Sequence, residues 1–168
     1  MNQYLINEKY KLAKKIEPDV TKDMKAISRL CRLRLADIKK SLKSKKSYVR
    51  KVKTKMVKED LSQREAQSEI KDLIRYTLMI DKYEENKTEA VINEIAVYLE
   101  RMGYKFLTDK SRNYFKNPKS SGYEGYHIYF KTKEGITAEI QVHTEATRLK
   151  KLHSHKHYKI FSTLCRRS

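Results

Sequence analysis

The stretch from Lys110 to Thr144 reads K-S-R-N-Y-F-K-N-P-K-S-S-G-Y-E-G-Y-H-I-Y-F-K-T-K-E-G-I-T-A-E-I-Q-V-H-T. A basic loop punctuated by Pro118, Gly122 and Gly125 leads into two alternating runs, Tyr126 to Lys131 and Ile136 to Val142, joined through Glu134-Gly135. Alternation interrupted by a turn dipeptide predicts a β-hairpin, with Tyr126, Ile128 and Phe130 on one face. Glu139 falls inside a strand that otherwise reads as buried. A lone acid there costs several kcal/mol unless a cation, a metal or a proton offsets it, so Glu139 is a candidate for chemistry.

Outward from the hairpin, the 168 residues suit one domain, 1–168, with a modest core. Residues 1–65 form a basic helical part, 69–144 the sheet and active-site core, and 145–168 a C-terminal helix and tail. Cys31 and Cys165 have no metal-ligand spacing and no disulfide framework around them, so free thiols in a reducing compartment are expected. No apolar run is long enough to span a membrane and the N-terminus has no secretory pattern, which predicts a soluble protein with no membrane partner.

The net charge of +18 asks for a polyanionic partner such as RNA, a ribosome or a substrate with several phosphates. About half of the basic residues precede Glu65. They are densest from Lys43 to Lys55, around Ser44 and Ser47, where no acid is available to neutralise a plain salt-bridged helix face. That segment suits a triphosphate or a nucleic-acid backbone.

In chain order, apolar residues at helical spacing predict a helix over 2–16, interrupted at Glu17-Pro18-Asp19, and a second helix from Pro18 to about Leu42. A polar helix or linker follows at 57–68. Ile70 to Ile80 reads as a central buried strand containing Asp72 and Arg75. Asp72 with Glu139 would give the pair of carboxylates that holds Mg2+ against a nucleotide phosphate. Thr88 is the expected N-cap of a helix ending at Gly103, followed by a strand at 104–107 and, after Thr144, a helix over 145–160.

Four pieces in order, K-S-K-K-S-Y-V-R-K (43–51), Asp72, N-P-K-S-S-G-Y-E-G-Y-H (117–127) and E-I-Q-V-H-T (139–144), resemble the RelA/SpoT-type alarmone synthetase domain. The resemblance implies an α+β fold related to the nucleotidyltransferases, a mixed, mainly antiparallel sheet flanked by helices. It implies a pyrophosphokinase that moves the β,γ-diphosphate of ATP to the ribose 3′-hydroxyl of a purine nucleotide (GDP or GTP, or ADP or ATP). The alternative acceptor is the 3′ end of tRNA.

Carried over residue by residue, Lys43, Ser47, Lys51, Arg75 and Arg112 would contact the donor phosphates, and Lys119, Gly122, Tyr123, His127 and Gln141 the acceptor. Tyr123 would stack on the base, with Lys119 and His127 on phosphates. Asp72 would bind Mg2+, and Glu139 would complete the metal site or take the proton of the attacking hydroxyl. Arg75 and Thr77 stand where the family usually has glycine and arginine, and Ser41 where it has arginine. That form, with Lys151, His155 and Tyr158 beyond it, is similar to the domains of bacterial toxins and prophage proteins.

With no hydrolase or regulatory region in view, the expectation is a growth-inhibiting enzyme of the bacterial cytoplasm, its own cell's or a target's, with a cognate antitoxin or immunity protein as partner. His153, His155 and His157 read as structural or phosphate-facing rather than as a zinc site. A reading of another class is a non-catalytic basic module that binds RNA or the ribosome.

Overall fold

The computed structural model describes residues 2–152. Asn2 caps α1 (Gln3–Leu30) by accepting from the Tyr4 amide, and Ile6, Ala13, Ile16, Val20, Met24 and Ile27 form its buried stripe. The helix runs straight through Pro18, where the sequence predicted an interruption. Proline removes one backbone hydrogen bond, but Lys14 and Pro18 lie on the exposed side, so the freed Lys14 carbonyl faces water. The stripe stays in phase on both sides. Each large apolar side chain it buries contributes about 1.5–3 kcal/mol, which together exceeds the roughly 3 kcal/mol cost of the proline.

The helix stops at Leu30, well before the expected Leu42. The Leu33 amide donates to the Ser28 carbonyl and the Arg32 amide to that of Arg29, with Arg32 at φ 54°. This is a Schellman ending, built on an arginine in the position where glycine normally announces it. The chain then forms an edge strand, β1 (Arg34–Ala36), and a 3-10 turn (Ile38–Lys40) in place of further helix.

The basic segment is a helix, α2 (Lys45–Lys58), capped by Ser44 and held by buried Tyr48 and Val52. After Asp60, in the left-handed region, a capping box between Ser62 and Glu65 starts α3 (Gln63–Ser68). β2 (Ile74–Met79) is shorter than expected, which leaves Asp72 in the connection just before it. α4 (Glu85–Arg101) starts one turn before the expected cap: Glu84 is its N-cap and Thr88 is buried inside the helix. Glu84 and Glu85 at that end suit the positive pole of the helix. Its other end is as expected, with Gly103 at φ 84°.

The rest of the chain is β3 (Lys105–Phe106), β4 (Arg112–Asn113) and the hairpin of β5 (Tyr126–Lys131) and β6 (Thr137–His143), followed by a helical stretch at 145–152. The sheet order is β1-β2-β6-β5-β3, with β4 also on β5; β2 and β6 are parallel and every other pair is antiparallel. The expected mixed, mainly antiparallel sheet flanked by helices is what the chain forms.

Strand period divides the sheet into two faces. Ile74, Tyr76 and Leu78 of β2, Ala138, Ile140 and Val142 of β6, and Ile128 and Phe130 of β5 belong to the core that α1 and α4 cover. The alternate residues Arg75 and Thr77, Glu139, Gln141 and His143, and His127 and Tyr129 come together on the other face through the register. One face is therefore apolar and the other carries polar and ionisable side chains.

Candidate active site

Two backbone hydrogen bonds, Lys43 amide to Leu73 carbonyl (2.9 Å) and Arg75 amide to Ser41 carbonyl (2.7 Å), fasten the segment before α2 to the approach of β2. Ser41 is buried and donates to Glu17 of α1 at 2.5 Å, so this departure from the family pattern serves to anchor the segment. The result is an open cleft of about 300 Å3 lined by Lys39, Lys40, Leu42, Lys43, Ser44, Ser47, Asp72 and Arg75. The N-terminus of α2 opens into it, and no acid occupies the first turn. The positive pole of the helix and four cations suit the cleft to an anion.

At its wall the Asp72 Oδ1 accepts from Lys51 Nζ at 2.7 Å, and Oδ2 lies 3.1 Å from Lys43 Nζ. Burial pushes the Asp72 carboxyl up, but Lys51 and Lys43 outweigh it and hold it below the ordinary carboxylate value. Both lysines are thus held beside the acid. Asp72 fits a hard cation: one carboxylate beside a phosphate site is how proteins usually hold Mg2+, leaving other positions to water and substrate.

Glu139, 3% exposed, faces Arg75 across the parallel pair β2–β6. Its Oε1 takes His127 Nδ1 at 2.9 Å and the Tyr129 hydroxyl at 3.0 Å, and its Oε2 takes Gln141 Nε2 at 2.8 Å. Three of the four lone pairs of the carboxylate are engaged, and the one left, on Oε2, suits a proton better than a metal's coordination shell. Burial raises this carboxyl and the His127 hydrogen bond lowers it; the lowering prevails, although the charge of Asp72 nearby opposes it. The acid is held ionised.

The predicted residues separate into groups. Lys43, Ser47, Lys51, Asp72 and Arg75 share the cleft or its wall. Glu139, Gln141, His127 and Tyr123 form a second, contiguous set. Tyr123 is turned inward, its hydroxyl 2.6 Å from His127 Nε2 and 3.0 Å from His143 Nε2, and burial pushes its phenol well above the usual value. His127 therefore meets Glu139 and Tyr123 with its two nitrogens, not a phosphate. Lys119 is exposed and lies over the Tyr114 and Tyr123 rings, at 4.4 and 4.9 Å from their centroids.

Gly122 is exposed at φ 73° with open space around it. Arg112, on β4, donates to the carbonyls of Asp109 and Ser111 and is not among the residues lining the lysine cleft. His153, His155 and His157, with Tyr158 and Cys165, lie outside the described residues.

The sequence reading passed over Lys39, Lys40, Tyr129, His143 and Thr147. Tyr129 touches Glu139, His143 touches Tyr123, and Thr147 touches His143. Strand parity with Glu139 and His127 was the available signal for His143 and Tyr129. Lys151 reaches Gln141 Oε1, and burial lowers its ammonium to about 8. Among the described residues no helix is long and apolar enough to cross a membrane.

With this geometry established, the profile of the family described as "Region found in RelA / SpoT proteins" matches residues 40–161. No curated protein matches the chain. Solved structures do. A GTP pyrophosphokinase family protein from Streptococcus pneumoniae superposes with a TM-score of 0.70 at 17% identity, covering 97% of this chain and 80% of that one. The small alarmone synthetase 1 of Bacillus subtilis bound to its product pppGpp gives 0.60 at 17%, covering 87% and 77%. The type VI effector Tas1, in complex with its immunity protein, gives 0.57 at 21%, covering 86% and 63%.

Proposed function

Since the chain belongs to the family found in RelA and SpoT proteins, we propose that it is an ATP-dependent pyrophosphokinase whose acceptor is the ribose 3′-hydroxyl of a purine nucleotide. The observation that carries this reading is Asp72 bracketed by Lys43 and Lys51 at the mouth of α2, two residues before the strand that pairs in parallel with the strand of Glu139.

ATP places its phosphates in the lysine cleft, where Lys43, Lys51, Arg75 and the α2 amides neutralise them and Ser47 adds a hydroxyl. Mg2+ held by Asp72 would neutralise and orient the transferring diphosphate when bound. Glu139 takes the proton of the acceptor's 3′-hydroxyl on its remaining Oε2 lone pair as the new O–P bond forms and AMP leaves. Phosphoryl-type transfer leaves the protein little covalent work, so charge and alignment supply most of the rate. Tyr123 is half-buried, and it would offer the acceptor base a face of its ring while its hydroxyl stays between His127 and His143.

Growth inhibition is the biological reading that goes with this activity, and an immunity protein is the partner to look for. A structural neighbour being an effector held by its immunity protein supports both. The tRNA 3′ end is the second acceptor reading, and one observation favours it. Lys45, Lys46, Arg50, Lys53 and Lys58 lie exposed along α2, none paired with an acid among the described residues. A mononucleotide has no use for so long a basic face.

The test is incubation with γ-labelled ATP and Mg2+ against GDP, GTP, ADP, ATP and bulk tRNA separately. Label in one acceptor identifies both reaction and substrate. Label in none favours the non-catalytic basic module.

A further inference from the structure

His143 has no part in the reaction as described, yet it is fully buried and engaged at both ring nitrogens. Nδ1 lies 3.1 Å from Thr147 Oγ1, and Nε2 lies 3.0 Å from the Tyr123 hydroxyl. The loop that carries Tyr123 closes onto the same ring. A Cβ at Gly125, whose φ is 152°, would stand 2.7 Å from His143 Cε1 and 3.2 Å from the Val142 carbonyl oxygen. No side chain fits there, so residue 125 must be glycine for the loop to lie on β6.

From Tyr123 the hydrogen bonds continue to His127 Nε2 at 2.6 Å, and from His127 Nδ1 to Glu139 at 2.9 Å. Proton counting gives their direction when both imidazoles are neutral. An ionised Glu139 only accepts, so His127 carries its proton on Nδ1 and its Nε2 accepts. The acceptor at Nε2 takes the single phenolic proton of Tyr123. The Tyr123 oxygen must then receive from His143 Nε2–H, and His143 Nδ1 accepts the Thr147 hydroxyl proton. With both imidazoles neutral, one arrangement satisfies each of these atoms.

We propose that His143 is a positioning residue for the transfer: its Nε2–H fixes the Tyr123 hydroxyl toward His127, which in turn presents Nδ1–H to Glu139. Glu139 is thereby held in one orientation, with its unengaged lone pair left for the acceptor hydroxyl. The groups around His143 support a neutral ring. Burial first, and then Lys151 and Arg148 of 145–152, lower the imidazole to about 3 against the charge of Glu139 on its own strand. The inference rests on the reading of Glu139 as the proton acceptor.

The experiment combines side-chain 15N NMR of histidine-labelled protein with single-turnover and steady-state kinetics on His143→Phe, His143→Gln, Tyr123→Phe and the double variant His143→Phe/Tyr123→Phe. The expected spectrum has His143 protonated at Nε2 and His127 at Nδ1. His143→Phe keeps the ring volume and should lose about tenfold or more in kcat with KM for ATP within about twofold. His143→Gln, which returns an N–H near the Nε2 position, should recover most of that loss. The double variant should be no slower than Tyr123→Phe, because both changes cut the same chain.

An Nδ1-protonated His143, an unchanged kcat in His143→Phe, or a His143→Gln as slow as His143→Phe overturns the inference. Should His143→Phe not fold, His143→Gln combined with Tyr123→Phe reads the same coupling. If the wild-type protein labels no acceptor at all, the functional reading fails on its own. The two tautomers then decide the hydrogen-bond chain, Nε2–H on His143 with Nδ1–H on His127 supporting it and any other pair overturning it.

Discussion

Lys51 Nζ and Asp72 Oδ1 stand 2.7 Å apart, an ion pair between the second turn of α2 and the connection before β2. With Lys43 on the other oxygen, a carboxylate that suits Mg2+ is occupied by the cations that suit the phosphates. Asp72 thus offsets part of the charge of the two lysines, and in the proposed function the donor phosphates would take its place beside them.

Replacing Asp72 by Asn should lower transfer at least about a hundredfold, because the metal-binding charge is lost. It should also cost about 1–2 kcal/mol of stability near neutral pH, with the more exposed Lys51 contact discounted for screening. The Asp72 carboxyl lies below its ordinary value in the folded protein. Its contribution is therefore present above the unfolded carboxylate's pKa and is lost as pH falls through the lowered folded one. Urea unfolding of both proteins at neutral and at strongly acidic pH checks this, since the two curves should converge in acid.

Glu139→Gln should reduce kcat by about 10²- to 10⁴-fold while leaving the lysine cleft intact. Calorimetric titration with a non-transferable ATP analogue separates the two effects. Binding as in the wild type with transfer gone supports a proton acceptor; loss of nucleotide binding assigns Glu139 to the donor site instead.

His143 gives the fold a pH dependence of its own. The folded protein does not protonate the ring until about pH 3, whereas the unfolded chain does so near 6.5. Between those values the unfolded state binds the extra proton, so stability falls as pH falls, with a limiting slope of about 1.4 kcal/mol per pH unit. His143→Gln lacks this term. From about pH 7.5 to about pH 5 the wild type should lose about 2 kcal/mol more than the variant in urea unfolding.

Pro18→Ala should stabilise the protein by about 1–3 kcal/mol and raise Tm by several degrees, because α1 already runs through the site and regains the bond to the Lys14 carbonyl. Thermal unfolding followed by circular dichroism measures it. A drop in Tm would mean that the proline shapes the helix for the Glu17–Ser41 and Glu17–Thr21 contacts beside it.

The hairpin was legible because two-residue periodicity, a turn dipeptide and one misplaced carboxylate all fall within a short span of chain. The helix over Pro18 was not, since a local rule about proline was set against a long-range gain from burying the stripe. The end of α1 was hidden because Arg32 adopts a conformation that usually signals itself with glycine. In the site, the cations and acids of the motifs could be named from sequence. What could not be read was that Tyr123 points inward, since that depends on the His127–His143 spacing across two paired strands.

The parallel pairing of β2 with β6 joins segments more than sixty positions apart, and no transfer centre exists until both are in place. During translation the lysine-rich half emerges long before Glu139 does. A nascent chain halted ahead of Thr137 lacks the strand that carries Glu139, so the polar face that Arg75 begins stays half built until that strand has emerged.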